Sequence, residues 1–311
     1  MRRALLALVL VAVACSPEGA LTTTTVGGTT TSAPPTTIPV ATTTAAPTTT
    51  TTTTIPPTTT TLAGLEGNWA DQPLVTSGFG ALGWWEGGSW VRADEVGALP
   101  VVGGEDYQVA AVGAEGMISG GEQQLVCDPL ELLGVVLEDD ELLGEWPGPY
   151  GVAISAPWDI QPHLFQSFSD DGTYADIASD LLATRGLAVP DPEIKQLYRT
   201  DLEGDGVNEV LVVAEDIQGG YFPHAGDYSL AFLRRVVDGE VQTAILGDSV
   251  MTNDEDFITA FSIGAVADLN GDGKMEIVLS SAYYEGLGVE VWEYVDDDIG
   301  VTPQIGVGCG S

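Results

Sequence analysis

The sequence predicts a mainly β protein built from antiparallel four-stranded units, with one amphipathic helix. Three observations lead there. Two acidic loops of nearly the same sequence begin at Asp201 and Asp268. Short runs rich in Val, Ile, Leu, Tyr and Phe surround them, residues that suit a pleated, buried surface. Only one clear stretch repeats its apolar residues at the helical period. An α+β protein with antiparallel sheets is the alternative.

The chain begins with segments that composition keeps out of any core. Met1 to Ala14 holds two arginines and then an apolar run from Ala4 to Ala14. A membrane-spanning helix needs about 20 apolar residues. Residues 1–14 therefore read as a signal peptide. The run ends in Ala12-Val13-Ala14-Cys15, which resembles the bacterial lipobox. That resemblance implies lipidation of Cys15; plain secretion with Cys15 as a bystander is the alternative. Residues 15–62 are dominated by Thr, Pro, Ala and Val. Such a segment buries too little apolar surface to offset its chain entropy, and it reads as a disordered stalk. At ~3.1 Å per residue it would reach on the order of 100 Å. Its Thr and Pro content also suits O-glycosylation. The expected location is extracytoplasmic, lipid-anchored and surface-exposed.

The folded head divides into a Gly/Trp-rich β region over 63–160 and a helix plus two repeats over 161–311. In the first, Gly83 to Val91 reads as strand, Gly-Gly turn, strand. Tyr107 to Val112, Gln124 to Cys127 and Gly151 to Ser155 read as further strands. The helix is expected at about 173–186. Thr173 would cap it with Asp176 three residues on, Tyr174, Ile177, Ala178, Leu181 and Leu182 fall on one face, and Gly186 ends it. Asp170 and Asp171 would favour its N-terminus.

Beyond the helix the pattern turns to strands. Ile194 to Arg199 leads into the first acidic loop and Val210 to Ala214 leads out. Tyr228 to Val237 and Glu240 to Leu246 flank the hairpin signal Asp238-Gly239. The order then recurs: Phe257 to Ala267, the second loop, Ile277 to Ser280, Val289 to Val295 and Val301 to Val307. A four-stranded unit repeated in this way has the form of a propeller blade.

The loops read Asp201-Leu-Glu-Gly-Asp-Gly-Val-Asn-Glu209 and Asp268-Leu-Asn-Gly-Asp-Gly-Lys-Met-Glu276. Oxygen-bearing side chains stand at positions 1, 3, 5 and 9, the way a short segment wraps a hard cation. An EF-hand needs a bidentate Glu at position 12 between helices. Val212 and Leu279 stand there, within strand-like runs, so an EF-hand is excluded. The arrangement resembles the FG-GAP (VCBS) repeats of integrin α-type propellers, over residues 194–311. That resemblance implies Ca²⁺ held by Asp201, Glu203, Asp205 and Glu209 with the Val207 carbonyl. In the second loop it implies Asp268, Asn270, Asp272 and Glu276 with the Lys274 carbonyl. Tight polar turns without metal are the alternative.

A net charge of −37 and a pI near 4.1 argue against nucleic acid as a partner, since phosphate binding needs clustered Lys and Arg. Membrane contact is expected through the lipid anchor alone. With Cys15 assigned to lipid, Cys127 and Cys309 form an even pair outside the cytoplasm; a disulfide is the simplest inference and two buried thiols the alternative. No catalytic motif is present: His163 and His224 lie in no metalloprotease pattern, and there is no nucleophile elbow. Trp84, Trp85, Trp90, Trp146 and Trp158 suit either a core or a sugar-stacking platform. Tyr283, Tyr284, Trp292 and Tyr294 are expected to pack within strands. The reading is a non-catalytic binding or scaffolding head for an unidentified glycan or protein ligand of the envelope. A hydrolase acting on glycans or peptides, with structural calcium, is the alternative.

Overall fold

The protein is described from a computed structural model, which covers residues 72–161, 166–167, 172–220, 222–237, 239–253, 257–295 and 300–310. The signal peptide, Cys15, the stalk, His163, Asp170, Asp171 and the turn residue Asp238 lie outside the described residues. No helix among those described is long and apolar enough to cross a membrane.

The fold is mainly β; the described residues form three antiparallel sheets and one α-helix. The first sheet uses β1 (Leu74–Ser77), β2 (Gly80–Glu86), β3 (Ser89–Arg92), β4 (Asp106–Ala111), β5 (Ala114–Val126), β6 (Leu132–Leu137) and β7 (Val152–Ile154). Its order is β3-β2-β1-β7-β4-β5-β6. The Gly87-Gly88 turn joins β2 to β3 as expected, with both glycines at positive φ. A register shift in β5 between Gly120 and Gln123 bends the sheet. The far strand β6 then returns over β2: a Cβ on Gly134 would lie 3.3 Å from the Gly80 Cα. The sheet curls around its own core of Leu74, Trp84, Tyr107, Ile118, Val135 and Leu143.

The second sheet runs β12-β11-β10-β9-β8, from β8 (Gln166–Ser167), β9 (Ile194–Thr200), β10 (Glu209–Asp216), β11 (Tyr228–Val237) and β12 (Glu240–Val250). The third runs β13-β14-β15-β16, from β13 (Ala260–Ala267), β14 (Glu276–Tyr283), β15 (Gly286–Val295) and β16 (Gly300–Gly310). Strands β9–β12 and β13–β16 therefore each form a meander of four strands, with an acidic loop between the first two. The short β8 extends the second sheet beside β9.

Period-two alternation sets the layers. On β10, Val210, Val212 and Ala214 face α1 (Thr173–Thr184), while Leu211 and Val213 face the third sheet. On β14, Ile277 and Leu279 face the second sheet, while Val278 packs with Leu82 and Ile154 of the first. Strands buried on both faces read as continuous apolar runs, which explains Val210 to Ala214 and Ile277 to Leu279. The order is thus α1, second sheet, third sheet, first sheet.

Two corrections concern α1. Gly172, at φ 85°, is the N-cap, and Thr173 is the first helical residue, not the cap. The helix ends at Thr184, two residues before the expected limit. Gly186 does close it: its N–H donates to the Ala183 carbonyl at 3.1 Å and Leu187 N–H to the Leu182 carbonyl at 3.1 Å, a Schellman pattern.

Cys127, just after β5, is disulfide-bonded to Cys309 on β16, with Cα atoms 5.7 Å apart. The bond ties the first sheet to the outer strand of the third.

Candidate metal centre

The two acidic loops fold alike, and their own hydrogen bonds explain why. At position 1, Asp201 accepts from the N–H groups of Gly204 and Gly206, both at 2.8 Å. Asp268 accepts from Gly271 at 2.7 Å and Gly273 at 3.1 Å. At position 5, Asp205 and Asp272 accept from the N–H two residues on, Val207 at 2.7 Å and Lys274 at 2.8 Å. At position 9, Glu209 accepts from Leu202 N–H at 2.9 Å and Glu276 from Leu269 N–H at 2.6 Å. The chain wraps its carboxylates inward because the glycines at positions 4 and 6 take φ between 74° and 87° in both loops. Position 2 drives an anchor into the core: Leu202 and Leu269 are both fully buried. Met275 N–H donates to the Leu202 carbonyl at 2.8 Å, so the loops touch.

Burial separates them. In the second loop Asp268, Asn270 and Glu276 are 4 %, 5 % and 1 % exposed. In the first, Glu209 is buried, Asp201 and Glu203 are half-buried, and Asp205 is exposed. The Val207 and Lys274 carbonyls belong to exposed residues at the loop tips.

The second loop also has walls that its own sequence does not name. Trp158 donates from Nε1 to the Asp268 carbonyl at 3.0 Å. Its ring lies so close to Gly271 that a Cβ there would stand 3.1 Å from the indole Cε2. Glu293 on β15 accepts from Asn270 Nδ2 at 3.1 Å and from Trp90 Nε1 at 3.3 Å. Neither Trp158 nor Glu293 was legible as a neighbour of this loop. Glu293 lies two strands along the meander, and Trp158 comes from another part of the chain.

The electrostatics are those of crowded, buried acid. Burial pushes Glu276 well above the usual carboxylate range, and the charges of Asp268, Asp272 and Glu293 push the same way, against one backbone hydrogen bond. Asp268 is raised by burial despite its backbone donors, with Asp272 adding to the rise. Glu209 is raised by burial, with Glu203 and Asp201 contributing. Glu293 is raised by burial and by Asp272, partly offset by Trp90, Asn270 and Lys274.

No three His, Cys, Asp or Glu side chains among the described residues converge as a ready-made cation cage. Asp205 and Asp272 are instead engaged by backbone N–H groups, and the third place in the second loop is an amide. Yet Glu276 Oε1 is buried with no hydrogen-bond partner, while Oε2 is satisfied. A buried polar atom of that kind carries a desolvation cost of about 1–3 kcal/mol, more when charged. The residues of the second loop fit a hard cation, which would meet that oxygen and offset the three or four negative charges around it.

Comparison with protein-family models, with curated proteins and with solved structures finds no match to this chain.

Trp84 is core, and its Nε1 donates to Glu86. Trp85 and Trp90 form an edge-to-face pair with centroids 5.2 Å apart. Trp292 and Tyr294 pack between the second and third sheets as expected. Tyr283 ends β14, paired with Gly286, and its hydroxyl lies where a Cβ on Gly286 or Gly310 would stand 2.6 Å away, so it packs across the strands as expected although 40 % exposed. Tyr284 does not: it is 48 % exposed in the β14–β15 turn, where it meets Phe222 with centroids 6.3 Å apart. The turn carries Tyr284 beyond the end of β14. His224 is exposed on the β10–β11 connection. A hollow of about 760 Å³ borders β15 and β16; its carboxylates are Asp94, ion-paired to Arg92 at 2.9 Å, and Glu290, which accepts from Trp292 Nε1 at 3.2 Å.

Proposed function

We propose that this chain is a calcium-stabilised, non-catalytic binding or scaffolding lipoprotein of the cell envelope, its head carried on the Thr/Pro-rich stalk and anchored through Cys15. The observation that carries the calcium reading is the buried oxygen of Glu276, without a hydrogen-bond partner inside a loop whose hydrogen bonds repeat in its twin. The resemblance to FG-GAP repeats supports the same reading. Asp201, Glu203, Asp205, Glu209 and the Val207 carbonyl would hold the first ion. Asp268, Asn270, Asp272, Glu276 and the Lys274 carbonyl would hold the second. When bound, Ca²⁺ would supply positive charge and a centre for the loop oxygens to coordinate, with no bond-making chemistry. Leu202, Leu269 and Trp158 fix the loops to the core, so stiffening the loops stiffens the sheets beside them. The head would then present a rigid acidic surface to a glycan or protein of the envelope.

Calorimetry of the purified protein with calcium and with EDTA tests this. A ligand at about 100 times its Kd stabilises the folded state by about 2.7 kcal/mol. For a domain of this size that is a Tm rise of about 5–10 °C. Identical melting in calcium and EDTA, with no heat of calcium binding, would reject the metal reading. A glycan and peptidoglycan binding screen tests the ligand class; turnover of a glycosidic or peptide substrate would replace the binding role by the hydrolase.

A further inference from the structure

The twin loops differ in one neighbour outside the motif. On β14 and β15, Ile277 stands opposite Trp292, which sets Glu293 across from Glu276 one step along the ladder. On β10 and β11, Val210 stands opposite Arg234, so the matching place beside Glu209 belongs to Arg235. Directly opposed side chains share a face of the sheet. The two repeats therefore carry opposite charges at one equivalent position.

Those two side chains go to different places. Arg235 is buried, its Cζ 5.0 Å from the centre of the Tyr294 ring and its Nη2 donating to Gln242 at 3.1 Å. Glu293 turns to the loop. One oxygen accepts from Asn270 Nδ2 and the other from Trp90 Nε1 on β3 of the first sheet. With its amide nitrogen held, Asn270 keeps Oδ1 on the loop side, accepting from Asp272 N–H at 2.9 Å. Glu293 thus joins Asp268, Asp272 and Glu276 as a fourth carboxylate at this loop, with Lys274 as the nearby cation. Independently of that count, Glu276 Oε1 is buried in the same cluster without a hydrogen-bond partner.

We propose that Glu293 is a positioning residue of the second calcium site: it orients the Asn270 amide, adds a fourth negative charge, and makes this loop the tighter of the two sites, with occupancy registered at Trp90. The inference rests on the calcium reading above. Arg235, in the matching ladder position of the other sheet, packs over the Tyr294 ring instead. Outer groups that orient a metal ligand are typically worth about 10- to 100-fold in affinity.

The test is calcium titration by calorimetry of the full chain, with tryptophan fluorescence recorded in parallel. The wild type should show a tighter and a weaker binding step, and Asp272→Asn should remove the tighter one. Glu293→Gln should weaken the tighter step about 10- to 100-fold. The same variant should melt higher than wild type in EDTA, because a repelling charge is gone. A merely structural role predicts the reverse, a lower Tm in EDTA. Trp90→Phe should remove most of the calcium-dependent fluorescence change. Two steps with the tighter one unmoved by Glu293→Gln would overturn the inference and leave calcium binding intact; so would loss of the tighter step in Asp205→Asn instead of Asp272→Asn. No calcium heat in the wild type would sink the calcium reading, and this inference with it.

Discussion

Breaking the Cys127–Cys309 bond should cost this fold more than any one contact, because of where the two cysteines sit. They lie 182 residues apart in sequence, one after β5 of the first sheet and one on β16 of the third. In the chain-entropy description, a cross-link closing about 100 residues contributes about 4.7 kcal/mol, and each doubling of the loop adds about 0.6 kcal/mol. A loop of this length should therefore contribute about 5 kcal/mol. For a domain of some 150–250 residues each kcal/mol shifts Tm by about 2–4 °C, which gives a fall of about 10–20 °C. The first and third sheets also share an apolar interface through Leu82, Ile154, Val278 and Val291, so the reduced protein should still fold. The assay is thermal unfolding, by circular dichroism, of the oxidised protein and of the Cys127→Ser/Cys309→Ser double variant. A fall of less than about 3 °C would show that the unfolded chain was not appreciably constrained by the link, against the entropy argument.

Three further outcomes are expected. Gly271→Ala and Gly204→Ala both place a side chain at positive φ, +79° and +74°, and each should lose about 1–2 kcal/mol by urea denaturation. Gly271→Ala should lose more, since its Cβ would meet Trp158 at 3.1 Å while Gly204 faces open space; equal losses would deny that Trp158 braces the second loop. Glu215 accepts from Ser229 Oγ at 3.0 Å, and burial raises its pKa above the ordinary 4.5. Its neutral form is therefore the one favoured by folding. The stability it contributes is complete below the unfolded pKa and lost as pH rises through the folded value. Glu215→Gln should remove that part of the decline in Tm between pH 4.5 and neutrality, and parallel wild-type and variant profiles would count against it. Leu269→Ala, at a fully buried anchor of the second loop, should cost about 2–5 kcal/mol in urea denaturation; a loss below 1 kcal/mol would mean that the loop is not fastened to the core there.

The form of the two acidic loops is written locally. Position 1 bonds positions 4 and 6, position 5 bonds position 7, and position 9 bonds position 2, all within nine residues of chain. Contacts of that range leave a direct trace in residue order, as do the Gly87-Gly88 turn and the Gly186 stop of α1. Thr173 is a good capping residue by type, but Gly172 takes the N-cap because it holds the required non-helical turn by conformation. Tyr284 falls in the turn and not in a strand: aromatic residues suit strands by type, and alternation alone does not show where β14 bends into its turn.

Residue order alone thus determined the acidic loops, the strands that flank them, the helix stop and the cysteines available to pair. Tertiary structure alone decided that Trp158 braces the second loop, that Glu293 stands between Asn270 and Trp90, and that Arg235 takes the matching place in the first repeat. The physical reason is range. A turn is fixed by bonds between residues a few positions apart, whereas a contact across sheets depends on register and on which faces pack together. Those are set by the burial of the whole molecule, and no short window of sequence contains them.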